Sequence, residues 1–253
     1  GGVTFNAVDV GQGDSLLYHF PDGSNMLVDA GTRKSARSLV SKLRKAGVRR
    51  IDILVATHPH EDHIGGMDLV LRSFPIGKVW DSGLNHGSSV QASMLRTIRE
   101  LVIRFGRPRA GFKEGHGGAS VEVIAPADPI SGTSSDANNN SIVLTVSYGS
   151  VSFLLMGDIE RGGRAAVKKF PASTVLKVSH HGSSNGTDKR LLSQTKPEVA
   201  VLSYGRGNSY GHPHKEVVRL LKDFGVTSYA TLNGDIKITT DGRTYSVSQE
   251  RER

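Results

Sequence analysis

The sequence contains no cysteine. Disulfides, thiolate metal ligands and cysteine nucleophiles are therefore excluded, and any metal must be held by imidazole, carboxylate, carbonyl or water. No apolar run approaches the roughly 18 residues that a membrane-crossing helix needs. No charged-then-apolar segment of signal-peptide type stands at the N-terminus. The opening GGVTFNAVDV reads as a strand instead, so the chain is expected to be a piece cut from a longer protein. Low-complexity linkers are missing too: ADPISGTSSDANNN is a polar loop rather than a boundary, and one domain over residues 1–253 is expected. A length of 253 residues with 37% hydrophobic content is enough for a sizeable core.

Acidic residues are scarce in two places. Residues 31–50 carry Arg33, Lys34, Arg37, Lys42, Arg44, Lys45, Arg49 and Arg50 with no acid among them. From Arg96 to Lys113 there is one acid, Glu100. The net charge of +8 favours an anionic partner such as nucleic acid or a membrane surface, against the bland alternative of an indifferent basic exterior.

Apolar runs alternate with amphipathic ones. VTFNAVDV and DSLLYHF read as strands split by the tight-turn signal GQG, and NMLVDAG as a third strand. Residues 33–46 predict a helix with Leu39, Val40, Leu43 and Ala46 on one face and Gly47 as the stop. IDILVATH is a continuous buried strand. A helix follows from about His63 with Met67, Val70 and Leu71 inward, then the strand GKVWDSG and a helix over 89–104. ASVEVIAP, NSIVLTVSYG, SVSFLLMGD, STVLKVSHH and EVAVLSYG are further strands. RGGRAAVKKF and PHKEVVRLLKDFG are helices, and a meander closes the chain. The pattern predicts two sheets packed face to face with helices on both outsides.

The stretch VATHPHEDHIGGM places His58, His60, Asp62 and His63 within six positions at the end of an apolar strand. Pro59 stiffens an extended segment in which His58 and His60 point the same way, and Asp62 and His63 come as the chain enters a helix. Four ligands are too many for one catalytic ion that keeps open positions. They suit two divalent ions, one on His58 and His60, the other on Asp62 and His63. Asp158, in FLLMGDIE at the end of an apolar strand, is the candidate bridge, with a simple turn aspartate as the competing reading. His180 and His181 end another apolar strand. Alternation predicts that one of them binds metal and that the other donates to a substrate oxygen or leaving group, with a satisfied core histidine as the competing reading for one of the pair. Asp29 is placed to orient a ligating imidazole. Ser183, Ser184 and Asn185 form a loop able to donate to phosphate, with turn chemistry as the plainer reading.

THPHEDHIGG is similar to the HxHxDH motif of the metallo-β-lactamase superfamily. DVGQGDS, LVDAG, HEDHIGG, NNNSIVL, LLMGDIE, LKVSHHGS and YGHP further resemble, in order and over about 200 residues, the C-terminal domain of ComEC-type competence proteins. The resemblance implies an αββα sandwich of two mixed sheets with a metal site at one edge. It also implies a nuclease role in DNA uptake, acting on the strand that is not imported, and tethering to a membrane channel on the extracytoplasmic face. Carried over by position, His58, His60, Asp62, His63, Asp158 and one of His180 and His181, with His181 favoured, are ligands. His212 matches a position near the site, with helix capping as its rival. The superfamily often adds a histidine where this chain reads NNNS. Asn139 or Asn140 is the candidate to fill that space, Asn140 also as a substrate contact, and His86 and His116 are further candidates, His116 more simply a hairpin tip.

Asp62, His180 and His212 are thus the candidate catalytic groups. Two cations about 3.5–4 Å apart activate water and clamp a phosphate oxygen, which suits phosphodiester hydrolysis. Manganese is favoured and zinc admitted by an all-N/O ligand set. The partner is then DNA, and the isolated domain a monomer. Two alternatives compete: another esterase of the same fold, acting on a choline phosphodiester, lactone or thioester, and a non-catalytic DNA-guiding module.

Overall fold

The computed structural model describes residues 1–250. Its first sheet holds β1 (Val3–Ala7), β2 (Leu16–His19), β3 (Asn25–Val28), β4 (Ile51–Ala56), β5 (Ile76–Asp81) and β6 (Arg104–Gly106). The second holds β7 (Lys113–His116), β8 (Ala119–Ala125), β9 (Val143–Tyr148), β10 (Val151–Leu155), β11 (Val175–Lys177), β12 (Val199–Leu202) and β13 (Thr227–Ala230). The chain then returns to the first sheet with β14 (Ile236–Thr240) and β15 (Tyr245–Gln249). The orders are β15-β14-β1-β2-β3-β4-β5-β6 and β13-β12-β11-β10-β9-β8-β7. Helices α1 (Ala36–Lys45), α2 (Glu61–Ile64), α3 (Met67–Ser73) and α4 (Ser89–Glu100) belong to the first half. α5 (Asp136–Asn139), α6 (Arg161–Ala165), α7 (Lys189–Thr195) and α8 (Lys215–Asp223) belong to the second.

Period-2 burial sorts the strands. In β8 every second residue is buried, and Val121 and Val123 join Phe5, Tyr18 and Phe153 in the core between the sheets. The rings of Phe5, Tyr18 and Phe153 meet at centroid distances of 5.1–5.5 Å, so truncating any one to alanine is worth about 3–5 kcal/mol. β4 is inward on both faces: one joins that core, while Leu54 and Ala56 pack under Leu39, Val40 and Leu43 of α1, Met67, Val70 and Leu71 of α3, and Met94 and Ile98 of α4. Leu191, Leu192, Val217 and Leu221 cover the outer face of the second sheet. This gives the predicted mixed α/β layering of helices, sheet, sheet and helices.

Departures from the sequence reading include three in which the backbone is set by tertiary contacts or positive φ. The helix expected from about His63 is two helices, α2 and α3, broken at Gly65–Gly66, where the backbone passes so close to Ala30 that a Cβ on Gly66 would lie 2.2 Å from its carbonyl oxygen. The helix expected over 89–104 ends at Glu100, because Val102 takes a positive φ of 53° and the chain re-enters the sheet as β6. The SHH segment is a tight turn rather than the end of a strand.

β3, β4, β5 and β6 run parallel, as do β10, β11, β12 and β13. Asp29, His58, Asp158, His180 and Ser203 all follow the C-terminal ends of these strands, the edge at which open α/β sheets gather ligand groups.

Candidate metal centre

The site is built outward from Thr57, the residue after β4. Its backbone N–H donates to Asp29 Oδ1 at 2.9 Å and its hydroxyl to Asp29 Oδ2 at 2.7 Å. Asp29 reaches this position from a left-handed backbone, φ 63°, which short polar side chains tolerate best. Its Oδ2 also lies 2.6 Å from His63 Nδ1. Having given its proton to Asp29, the Thr57 hydroxyl accepts from His58 Nδ1 at 2.9 Å. On the opposite sheet, His181 Nδ1 donates to the Ser203 carbonyl at 2.8 Å. All three buried imidazoles therefore have Nδ1–H engaged, which turns each Nε2 inward as the atom that a metal would take once any proton there is lost.

Those nitrogens converge on two carboxylates. His58 Nε2 lies 3.4 Å from Asp158 Oδ2, His63 Nε2 3.2 Å from Asp158 Oδ1, and His181 Nε2 3.5 Å from Asp158 Oδ2 and 2.9 Å from Asp62 Oδ2. His63 and His181 Nε2 are 3.3 Å apart. Asp62, His63, Asp158 and His181 each offer a ligand atom within 4.8 Å of the others. His60 joins from the rim, its ring 5.0 Å from that of His58. A second grouping, Asp29, His58 and His63, is just as close, but both Asp29 oxygens are already engaged by Thr57 and His63, so Asp29 orients the site.

The electrostatics favour a cation. Burial alone would depress His63 and His181, yet Asp158, with Asp62 and Asp29 at His63 and Asp14 at His181, holds both well above the ordinary histidine range. Burial would likewise raise Asp158 and Asp62; His63, with His181 for both, instead keeps them well below the usual carboxylate range. His60 is pushed down to about 4 by burial and by His58, so it is neutral at pH 7 with a lone pair to offer. The donors also fit a metal sterically. His58 Nε2 and Asp158 Oδ1 are buried and make no hydrogen bond, an arrangement costing about 1–3 kcal/mol per group unless something coordinates them. Imidazole nitrogen and carboxylate oxygen without thiolate suit a borderline or hard divalent ion.

The family model described as the metallo-beta-lactamase superfamily matches residues 8–206. The chain belongs to that superfamily. It is 29% identical over 263 aligned residues to ComE operon protein 3 of Bacillus subtilis (strain 168), an alignment covering 95% of this chain and 34% of that protein. It is 31% identical over 223 residues to competence protein ComA of Neisseria gonorrhoeae, covering 86% of this chain and 29% of that one. The chain thus spans about a third of the length of these relatives. Among solved structures, CmlA, a diiron β-hydroxylase from Streptomyces venezuelae, superposes with a TM-score of 0.63 at 15% identity, over 94% of this chain and 54% of that one. At that identity the likeness concerns the fold alone.

Within this metallo-beta-lactamase fold, His58, His60, Asp62, His63, Asp158 and His181 come together. Strand alternation is not what separates His180 from His181. Both lie in a left-handed turn, φ 53° and 57°, completed by Gly182 at 88°. The turn buries His181 and leaves His180 half-exposed at the rim, its Nε2 3.9 Å from Asp158 Oδ2 and its Nδ1 3.0 Å from Asn185 Oδ1. His212 is stacked beside His181, ring centroids 6.0 Å apart. Ser184 sits on the rim with its backbone N–H donating to His214 Nδ1, and Ser183 is buried beneath it.

Asn139 and Asn140 have other work. The Asn140 amide is wholly taken up by Ile130 and Asp136, and the Asn139 carbonyl oxygen accepts from Glu160 and Gly163. In place of a ligand, NNNS supplies scaffold: Ser141 Oγ accepts from the Asp158 N–H at 3.2 Å and so sets the central carboxylate. His86 lies near the rim, its ring 5.0 Å from His60. His116 is at a hairpin end, stacked on Phe20 and bonded to Glu114.

Sequence reasoning missed Gln12, Asp14 and Lys177. Lys177 Nζ lies 3.1 Å from Asp14 Oδ2 with both side chains buried, and Asp14 Oδ1 lies 3.3 Å from His181 Nδ1. GQG reads as a turn; that its flanking polar residues point into the site has no local signal beyond their place in DVGQGDS.

Proposed function

We propose that this chain is a metal-dependent DNA hydrolase serving DNA uptake. The observation that carries the reading is the convergence of the His58, His63 and His181 Nε2 atoms with Asp62 and Asp158 in a chain similar to competence proteins. Two divalent ions bound there, manganese in first place and zinc in second, supply a water acidic at neutral pH and positive charge against the phosphoryl transition state. His58, His60 and Asp158 would hold one, and Asp62, His63, Asp158 and His181 the other. His180 and His212, at the rim, contact the scissile phosphate or its leaving group. Ser184, tied to His214, contributes little. In the longer protein the domain hangs from a membrane channel on the extracytoplasmic side and degrades the strand that is not imported. The described residues contain no helix long and apolar enough to cross a membrane.

The test is turnover of DNA by purified protein, abolished by EDTA and restored by manganese more fully than by magnesium, since imidazole disfavours magnesium. His60→Ala and Asp62→Ala should each lose activity by about two orders of magnitude or more, and Ser184→Ala much less. Equal degradation by wild type and Asp62→Ala would reject the nuclease. Turnover of a choline phosphodiester, lactone or thioester would then point to another esterase, and DNA binding without turnover to a guiding module.

A further inference from the structure

His212 is buried beside the metal centre, with ring centroids 5.7 Å from His180 and 6.0 Å from His181. Its backbone is pinned: its N–H donates to Asn208 Oδ1 at 2.9 Å, and Asn208 Nδ2 donates back to its carbonyl at 2.9 Å. An imidazole so placed has two neutral forms, and which nitrogen carries the proton decides whether the ring donates to a substrate oxygen or accepts from it.

The protein resolves that choice through Gln12. The Gln12 amide touches two groups, the Gly205 backbone N–H at 2.9 Å and His212 Nδ1 at 3.1 Å. A backbone N–H is only a donor, so the amide atom facing Gly205 has to be the oxygen. The other end is then NH₂, which only donates, and His212 Nδ1 has to accept. The neutral ring therefore carries its proton on Nε2, for which no described residue supplies a hydrogen-bond partner. The opposite reading of the amide, NH₂ toward Gly205, would set two donors face to face. Gly205 makes the contact possible, since a Cβ there would lie 2.8 Å from the Gln12 backbone nitrogen.

We infer that Gln12 is a positioning residue that locks His212 as an Nε2–H donor, aimed at the oxygen that leaves when the phosphodiester is cleaved. The inference rests on the hydrolase reading for its reaction and on the Gln12–Gly205 bond for its tautomer. As hydroxide derived from water bonds to phosphorus and the P–O bond to the leaving group breaks, the Nε2 proton passes to the departing alkoxide; the imidazolate so formed, its Nδ1 met by the Gln12 NH₂, takes a proton back from water, and the hydroxide this releases balances the one consumed.

The tautomer is read directly from long-range ¹H–¹⁵N correlation spectra of histidine-labelled, EDTA-treated protein, with His212→Gln supplying the assignment by loss of its signals. In the wild type, His212 Nδ1 should resonate as an unprotonated nitrogen and Nε2 as a protonated one. Gln12→Glu keeps an acceptor for Gly205 but offers His212 only oxygen, so the ring should turn to Nδ1–H. The same variant should lose about 10²-fold in kcat on DNA, the scale of general acid catalysis, and far less on bis(p-nitrophenyl) phosphate, whose leaving group needs no proton. A wild-type His212 protonated on Nδ1, or equal losses on both substrates, overturns the inference. The wild-type spectrum decides the tautomer even if Gln12→Glu fails to fold. The expected tautomer in a protein that cleaves neither substrate would reject the hydrolase reading and leave the assignment of Gln12 standing.

Discussion

Replacing Lys177 by methionine keeps the volume of the side chain and removes its charge. Lys177 and Asp14 are 1% and 2% exposed and 3.1 Å apart, so the change leaves a carboxylate in the interior without its cation. Breaking a buried pair in this way costs about 3–5 kcal/mol. A second route to the magnitude starts from Asp14 itself. Burial raises its carboxyl, but Lys177 and His181 outweigh burial and hold it at about 2 against an ordinary 3.8. At 1.36 kcal/mol per unit, that net shift, to which Lys177 and His181 both contribute against burial, is about 2 kcal/mol, smaller than the cost expected for leaving the carboxylate without Lys177. A depressed carboxyl contributes its stability above the unfolded value of 3.8 and loses it as pH falls through about 2. In Lys177→Met the carboxyl protonates at higher pH, so the deficit relative to wild type should be largest at pH 7 and shrink on acidification. Urea unfolding of EDTA-treated protein at a series of pH values from 7 to about 4 measures this. Asp14→Ala/Lys177→Met should lie closer to wild type than Lys177→Met alone, because no uncompensated charge remains. A loss below about 1 kcal/mol at pH 7, or one independent of pH, refutes the reasoning.

Three further outcomes are expected. Asp158→Ala should abolish most metal binding, measured by elemental analysis after dialysis, while leaving a cooperative unfolding transition; undiminished metal content would remove Asp158 from the centre. Since carboxylates hold His63 and His181 above the usual histidine range in the metal-free protein, metal uptake at pH 7 should release protons and affinity should rise with pH. Calorimetry in buffers of different ionisation enthalpy that showed no proton release would contradict this. Arg33 and Arg37 line a groove of about 360 Å³ beside Gly65, and the Arg33 N–H donates to Glu61. Arg33→Glu with Arg37→Glu should therefore weaken DNA binding irrespective of sequence and make its salt dependence shallower by about one unit per lost phosphate contact. Arg44, on α1 with Arg37, is a poorer choice, because its guanidinium lies over Phe74.

The layering was legible wherever a long element met a periodic apolar pattern: Leu39, Val40 and Leu43 of α1 and Met67, Val70 and Leu71 of α3 are buried as their spacing implies. Short elements held by side-chain bonds were not. α5 lies in the polar stretch that runs into NNNS, capped by Ser135, and α7 is capped by Asp188, with too few apolar residues in either to show a period. Clustered candidate ligands such as His58 to His63 announce themselves locally. Asp14 and Lys177 stand 163 positions apart, and nothing at either position in the sequence points to the other. The His180–Gly182 turn was hidden for a different reason: two non-glycine residues at positive φ oppose local preference, and tertiary bonds from Gly157 and Ser203 hold them there.

The position of the centre at the seam between the sheets has a consequence for how the molecule holds together. Asp29, His58, Asp62 and His63 hang from the first sheet, Asp158 and His181 from the second, and His63 meets His181 across 118 residues of chain. Neither sheet carries a complete set of donors, so the centre exists only once both are assembled and docked. Ions gripped from both sides would act as rivets, and their binding energy would be recovered as resistance to separation of the layers. Thermal resistance and hydrolytic competence would then rise and fall together as chelator strips the protein.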